Sequence, residues 1–152
     1  MIYLIDKKNN NLETNLFIDY INRFNKLGKI LKISNIQVVY LDNKKCKSPE
    51  DEIYMLKRRI MHNSYKILLD SLGQKINSVE FSKKIFLKQE EGVDNISFLI
   101  GGAYGIPESY KKEADLILSL GEMIWPHELV KIFLAEQIYR AANIRLGNPY
   151  HK

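Results

Sequence analysis

Short apolar runs alternate along the chain with longer stretches in which apolar residues recur every three or four positions. The apolar runs, which predict β-strands, lie at 3–5, 36–41, 65–70, 96–100 and 116–120. The stretches that follow them have the spacing of amphipathic helices. A strand-helix unit repeated five times is typical of an α/β fold, so we expect a mainly parallel sheet with helices on both faces.

Capping residues, prolines and glycines predict where the helices begin and end. The expected starts are Ser48 with Pro49, Asn77 with Glu80, Pro107, and Pro126. The expected ends are Gly28, Gly92 and Gly147. Gly73 is expected to form a turn after the third strand.

The long helix expected after Pro126 carries apolar side chains on more than one side, among them Leu129, Phe133 and Ile138. A helix without one broad polar face is buried on several sides. We expect this helix to pack on the sheet and on a second subunit. Burial within one domain is the alternative.

Length and composition favour a single domain over residues 1–152. Hydrophobic residues make up 45% and charged residues 27%, the balance of a soluble globular protein. No apolar run approaches the roughly 18 residues of a membrane span, and MIYLIDKKNNN does not have the pattern of a secretory signal. We therefore expect a cytoplasmic protein. Cys46 is the only cysteine, which excludes an internal disulfide and a cysteine-based zinc site.

Positive charge is concentrated in the first half of the sequence. The chain has a formal net charge of +5, and residues 1–75 hold 14 Lys and Arg against 8 Asp and Glu. A positive face is expected in a protein that binds the phosphate backbone of a nucleic acid. The alternative is that these charges only keep the surface soluble.

The stretch FLIGGAYG, residues 98–105, joins an expected strand to three glycines within five positions. Its spacing is neither the GxxxxGK[ST] of a P-loop nor the GxGxxG of a dinucleotide fold. The glycines nevertheless follow the carboxyl end of a strand, where open α/β sheets bind ligands. Spacing alone leaves both a tight turn and a ligand site open.

Four ordered motifs extend from this point onward: GGxxG at 101–105, SLxxMxxPHxL at 119–129, EQxYRA at 136–141 and PYHK at 149–152. A further segment, LDSLGQKINSVEF, covers 69–81. Together these motifs resemble the RlmH family, the SPOUT-class methyltransferases that act on a pseudouridine of 23S rRNA. The chain departs from the family pattern at IDKKNNN, where the family has a Gly-Lys pair, and at Gly121 and Glu122.

The resemblance implies a SPOUT-type fold with a C-terminal trefoil knot, a knotted cofactor-binding part at about 96–152, and a homodimer with active sites at the subunit boundary. It also implies S-adenosyl-L-methionine as the cofactor. The cofactor-binding residues carried over to this sequence are Leu69, Gly101, Leu120, Gly121, Glu122, Met123, Ile124 and Trp125. On this interpretation the glycines make room for a bent cofactor, and apolar side chains form a slot for adenine.

The implied reaction needs help in removing a proton. Pseudouridine N3 carries a proton between two carbonyl groups and is a poor nucleophile until that proton leaves. The candidate catalytic residues are Arg140, Tyr150 and His151. His127 lies in the first turn of an expected helix, where capping or packing stands as an equal alternative to catalysis. His62 is expected at the surface. No cluster of His, Asp or Glu has metal spacing, so no metal is expected.

The resulting hypothesis is methylation of N3 of a pseudouridine in 23S rRNA, with the large subunit or the assembled ribosome as partner. Two alternatives stay open. One is a SPOUT methyltransferase for another RNA, and the other is a noncatalytic RNA-binding or ribosome-assembly protein with the same fold.

Overall fold

The computed structural model describes residues 1–44, 46–102 and 105–151, with His151 described by its backbone alone. Within these residues the strands are β1 (Ile2–Leu4), β2 (Val38–Tyr40), β3 (Tyr65–Lys75), β4 (Ile96–Ile100) and β5 (Leu116–Ser119). The helices are α1 (Leu12–Leu31), α2 (Pro49–Lys57), α3 (Ser78–Glu90), α4 (Glu108–Lys111) and α5 (His127–Arg145), followed by a 3₁₀ turn at Pro149–His151. The predicted alternation of strands and helices is confirmed.

The strands form one five-stranded sheet in the order β2-β1-β4-β3-β5, and every strand pair is parallel. Parallel strands have both faces buried, which is why their sequences are continuous apolar runs. One face carries Tyr3, Leu68 and Leu99 and packs on α2 and α4. The residues that alternate with these, such as Leu4, Ile67 and Phe98, are buried as well. The predicted α/β class and parallel sheet are therefore confirmed.

Contacts within the chain divide it into two compact units. The sheet unit contains Met1–Lys8, Gln37–Lys75 and Val93–His127, with the five strands, α2 and α4. The helical unit contains Asn9–Ile36, Ile76–Gly92 and Glu128–Lys152, with α1, α3 and nearly all of α5. A single domain over 1–152 stays a prediction.

The predicted helix starts at Ser48 and Asn77 are confirmed. The Ser48 hydroxyl accepts from the Asp51 N–H at 3.2 Å. Asn77 and Glu80 form a reciprocal capping box at the start of α3. At the other ends, Gly92 and Gly147 have φ values of 81° and 68°, which residues with a side chain rarely adopt.

The prediction that Gly28 ends the first helix is wrong, because α1 continues to Leu31. The Ile33 N–H donates to the Gly28 carbonyl at 2.8 Å, and Lys32 takes the left-handed conformation at φ 56°. This is a Schellman ending in which a lysine stands where glycine is usual. Gly28 instead allows the backbone of Ile33 to approach the helix closely. A β-carbon at position 28 would lie 3.2 Å from the Ile33 carbonyl oxygen.

The prediction of a turn at Gly73 is also wrong, because β3 continues through Gly73 to Lys75. β3 pairs with β5 at Leu69 and again at Gln74, with an irregularity between them. A β-carbon on Gly73 would lie 2.8 Å from backbone atoms of Ile117 and Leu118. Glycine is needed here so that two backbones can touch.

The last helix is largely covered within one chain. Every side chain of α5 over 128–144 is buried or half-buried. Lys131 is only 1% exposed, and its amine donates to the Thr14 hydroxyl at 3.3 Å and pairs with Glu128 at 2.5 Å. Packing on a second subunit stays a prediction. No helix in the described part of the chain combines the length and apolar character that a membrane span requires.

Candidate functional site

The sheet brings three of the expected cofactor-binding residues to one edge. Leu69 of β3 pairs with Ile100 of β4 and with Leu118 of β5. Gly101 follows Ile100 directly, and Leu120 lies two positions beyond Leu118. Because the three strands are adjacent and parallel, Leu69 lies level with the carboxyl ends of β4 and β5, where α/β sheets bind ligands, although β3 itself continues to Lys75.

The glycine turn after β4 is packed against the protein itself. A β-carbon on Gly101 would lie 2.7 Å from the Ile106 side chain, and one on Gly102 would lie 2.8 Å from the Glu52 carboxylate. The Gly105 N–H donates to the Gly102 carbonyl at 3.0 Å, and only Gly105 has open space beside it. The β-carbon positions of Gly101 and Gly102 are thus taken by Ile106 and Glu52, and the interpretation that the glycines make room for a bent cofactor stays a prediction. The other two positions of GGxxG, 103 and 104, lie outside the described residues.

Ser119 organises the loop that follows β5. Its hydroxyl contacts the carbonyls of Gly121 at 2.7 Å and Ser71 at 3.1 Å, and accepts from the Gly121 N–H at 3.2 Å. Gly121 has φ 117°, which strongly favours glycine. One buried hydroxyl thus connects the loop after β5 to the irregular part of β3.

Beyond Gly121, the side chains of this loop point largely to solvent. Met123 is 67% exposed and Ile124 is 90% exposed. Glu122 is exposed as well and pairs with Lys75 of β3 at 2.5 Å. Trp125 is half-buried. The loop therefore presents apolar side chains beside Leu120, as an apolar ligand would require.

A part-buried ion pair lies next to Leu69. The Asp70 carboxylate bonds the Lys111 amine of α4 at 2.8 Å, and both side chains are 16% exposed. Burial opposes ionisation of Asp70, but hydrogen bonds from Lys111 and from the Leu72 N–H lower its pKa overall. The pair connects α4 to the irregular part of β3.

In the helical unit, two of the expected catalytic residues meet at Glu136. Arg140 donates to Glu136 Oε1 from Nε at 2.9 Å and from Nη2 at 2.6 Å. The Tyr150 hydroxyl donates to the same oxygen at 3.2 Å. Gln137 donates to Glu136 Oε2 at 2.7 Å and accepts from the Ser78 hydroxyl at 2.7 Å. Glu136 therefore fixes both Arg140 and the tail of the chain.

Aromatic rings complete this cluster. The Arg140 guanidinium carbon lies 4.9 Å from the centre of the Tyr150 ring, and Tyr150 meets Tyr139 edge-on at 4.8 Å. Burial, a hydrogen bond with Tyr20 and the nearby Glu136 charge all raise the pKa of Tyr150. Tyr150 is therefore protonated near neutral pH and is suited to donate a hydrogen bond, not to accept a proton. The hydrogen bond to Glu136 likewise raises the pKa of Arg140.

The three histidines have different surroundings. The side chain of His151 lies outside the described part of the structure, although its backbone is in the 3₁₀ turn. His127 is the first residue of α5, and its Nε2 lies 3.8 Å from Asp6 Oδ2. His62 is exposed, as predicted. Among the described residues, no three His, Cys, Asp or Glu side chains are grouped as metal ligands would be.

Three polar residues near these sites were not predicted from the sequence: Glu52, Ser119 and Glu136. Ser119 and Glu136 lie within the quoted motifs SLxxMxxPHxL and EQxYRA. The four-residue spacing from Glu136 to Arg140 signals a helical ion pair and could have identified Glu136. No sequence signal distinguishes Glu52 from Glu50 and Asp51 beside it.

The fold is that of an α/β protein in which candidate cofactor residues lie at the ends of parallel strands and two candidate catalytic residues bind Glu136 in the helical unit. A family model described as "Predicted SPOUT methyltransferase" matches residues 1–151, and the chain belongs to this family. This confirms the class to which the sequence motifs pointed.

Curated relatives carry a more specific name, "Ribosomal RNA large subunit methyltransferase H". The chain is 38% identical to the protein of this name from Roseobacter denitrificans and 39% identical to that from Paracoccus denitrificans. Each comparison spans 140 residues, 92% of this chain and 90% of the relative. A relative from Ruegeria sp. is 36% identical over the same shares. The resemblance to this group is confirmed.

Proposed function

We propose that the protein uses S-adenosyl-L-methionine to methylate N3 of a pseudouridine in 23S rRNA, in the cytoplasm and on the large subunit or assembled ribosome. The observation that carries this proposal is the family match over 1–151 together with relatives named as large-subunit rRNA methyltransferases. The Arg140–Glu136–Tyr150 cluster supports it, because it provides the polar groups that the reaction needs.

The strand-end residues fit the cofactor. Leu69 and Leu120 are half-buried apolar side chains, and the exposed Ile124 can close over a ligand bound beside them. Gly105 and Gly121 leave open space next to the backbone. S-adenosyl-L-methionine supplies an activated methyl group, so the residues around it need chiefly to hold it in place and exclude water.

We assign the proton removal and charge stabilisation at the pseudouridine to Arg140, Tyr150 and His151. When N3 loses its proton, negative charge spreads onto the neighbouring carbonyl oxygens; the methyl group would then neutralise that charge, and S-adenosylhomocysteine would be the leaving group. Arg140 uses two N–H groups for Glu136, and its other three bond no residue in the described part of the chain. We assign these donors to a developing oxygen anion, and the Tyr150 O–H to a second hydrogen bond that it makes by leaving Glu136. His151 is the proposed acceptor of the N3 proton.

The proposal includes a homodimer with a trefoil knot in the part at about 96–152. Half-buried apolar residues of α5, including Val130 and Phe133, support a second subunit. A single sedimentation experiment at micromolar concentration tests it, and a monomer would overturn the dimer.

The charge distribution bears on how the RNA is bound. The helical unit holds 11 Lys and Arg against 7 Asp and Glu, whereas the sheet unit holds 12 against 11. Of the surplus of six in residues 1–75, four belong to the sheet unit and two to the helical unit, but acidic residues of 93–127 offset most of the sheet unit's share. In the sheet unit, Arg58 and Arg59 are exposed, but Lys57 is paired with Glu113 at 2.5 Å. Because the helical unit has the larger excess of positive charge, we assign the contacts with RNA phosphates mainly to that unit.

The experiment measures transfer of labelled methyl from S-adenosyl-L-methionine to ribosomes that lack the modification, with naked 23S rRNA and tRNA as parallel substrates. Label on ribosomes or large subunits alone supports the proposal. Label on tRNA would favour a methyltransferase for another RNA. No label, from protein that still binds the cofactor, would favour a noncatalytic RNA-binding protein.

A further inference from the structure

Glu52 is a carboxylate inside the core of the sheet unit. It belongs to α2 and has no exposed surface, and its neighbours Ile53 and Leu56 are part of the apolar cluster on that face of the sheet. A buried carboxylate is costly unless hydrogen bonds satisfy its oxygens. Glu52 therefore requires a specific explanation, unlike Glu50, which is exposed on the same helix.

Among the described residues, one of its two oxygens has a partner and the other has none. Oε1 accepts from the Asn43 side-chain amide at 2.5 Å. Oε2 is buried and bonds nothing in the described structure. The position of Glu52 near the start of α2 favours negative charge through the helix dipole, but that does not satisfy Oε2.

The carboxylate faces the glycine turn. Both of its oxygens lie 2.8 Å from where a β-carbon on Gly102 would stand. Gly102 is also the residue whose carbonyl accepts from the Gly105 N–H across the turn. Its predecessor is Gly101, at the strand end where the cofactor is proposed to bind. The unpartnered oxygen is thus in contact with the turn that borders the ligand site.

We propose that Glu52 is a positioning residue for the glycine turn after β4: its Oε2 accepts a hydrogen bond from a backbone N–H of the turn when the cofactor is bound, and position 102 is glycine because the carboxylate fills the space of a side chain. The inference rests on the proposed function. Glu52 acts through the turn and does not touch the reacting atoms.

The test compares cofactor affinity with stability in four variants. Glu52→Gln keeps the size of the side chain but replaces one acceptor oxygen with a donor. Gly102→Ala forces a methyl group against the carboxylate, and Glu52→Ala with Gly102→Ala removes that clash. Glu50→Gln is the matched control, since its side chain is exposed. Binding of S-adenosylhomocysteine is measured by calorimetry, and each variant's fold is checked by circular dichroism and by its Tm without ligand.

We expect Glu52→Gln to weaken binding about tenfold, the effect of losing one hydrogen bond to a charged group, with the fold retained. Gly102→Ala should weaken binding similarly, and the double variant should bind more tightly than Gly102→Ala alone. Unchanged affinity in folded Glu52→Gln would overturn the inference, as would a double variant no better than Gly102→Ala. Failure of the unmodified protein to bind would overturn the proposed function and the inference with it, whereas normal binding by every variant overturns the inference alone.

Discussion

The loops that follow β4 and β5 in the sheet unit differ from the cluster of Glu136, Arg140 and Tyr150 in the helical unit in the kind of groups that hold them together. The loops rely on glycines and backbone groups, as at Gly102 with Gly105 and at Ser119 with Gly121. The cluster relies on side chains, with Arg140 and Tyr150 both bound to one carboxylate oxygen. Backbone groups suit the holding of a neutral ring system, whereas fixed charge suits a proton transfer. On the proposed function, the difference predicts that cofactor binding and methyl transfer can be disturbed by separate substitutions.

Removing the charge of the cluster gives the largest expected effect. Arg140→Ala should lower kcat about 100-fold or more, because the anion formed at the base loses its charged donor. Binding of S-adenosylhomocysteine should change less than about twofold, since no strand-end loop is altered. Arg145→Ala is the control on the same helix, where the side chain is about half exposed and pairs with Glu90. Equal losses in the two variants would remove Arg140 from the chemistry.

A methyl group at Gly73 should have the next largest effect, and on stability. Gly73→Ala places a β-carbon 2.8 Å from the backbone of Ile117 and Leu118, so the pairing of β3 with β5 has to shift. We expect a loss of about 3 kcal/mol in the free energy of unfolding, measured with urea. Gly28→Ala, whose β-carbon would be 3.2 Å from one oxygen, should cost clearly less. Equal costs would show that the β3–β5 contact tolerates a side chain.

Loss of the Ser119 hydroxyl should affect the sheet unit alone. Ser119→Ala removes the contacts to Gly121 and Ser71 and should weaken cofactor binding about fivefold to tenfold. The rate of methyl transfer at saturating cofactor should stay close to that of the unmodified protein. Ser71→Ala is the control, because it keeps the carbonyl that Ser119 contacts. A loss in kcat with unchanged affinity would contradict the separation of roles.

The smallest predicted effect concerns pH. The pKa of Asp70 is lowered in the folded protein, so its pair with Lys111 contributes stability above the unfolded pKa of about 4 and loses it as pH falls through the folded pKa. Asp70→Asn should therefore destabilise the protein at pH 7, and the difference should shrink below about pH 4. Urea unfolding across this range measures it. A difference independent of pH would show that charge is not its cause.

The two regions also differ in how far the sequence predicts them. Apolar runs and caps predict the strands and helices well, because burial in a parallel sheet and helix capping are local patterns. Gly73 was assigned wrongly because it packs against Ile117 and Leu118, which only the fold brings near. Gly28 was assigned wrongly because the helix continues to Leu31 and Lys32 takes the left-handed conformation at its end. Leu69, Gly101 and Leu120 lie near one another because the neighbouring strands are parallel, which the alternation of strands and helices in the sequence implies. Glu52 could not be predicted, since its contact with Gly102 depends on the packing of α2 beside the sheet.

The central claim is that this chain methylates N3 of a pseudouridine in 23S rRNA, and the most direct measurement identifies the modified nucleoside. After reaction with labelled cofactor, rRNA from ribosomes that lack the modification is digested and its nucleosides are separated and identified by mass spectrometry. The account predicts that the label is found in 3-methylpseudouridine and that Arg140→Ala nearly abolishes it. Label on a ribose, on another base, or on no nucleoside at all would contradict the account.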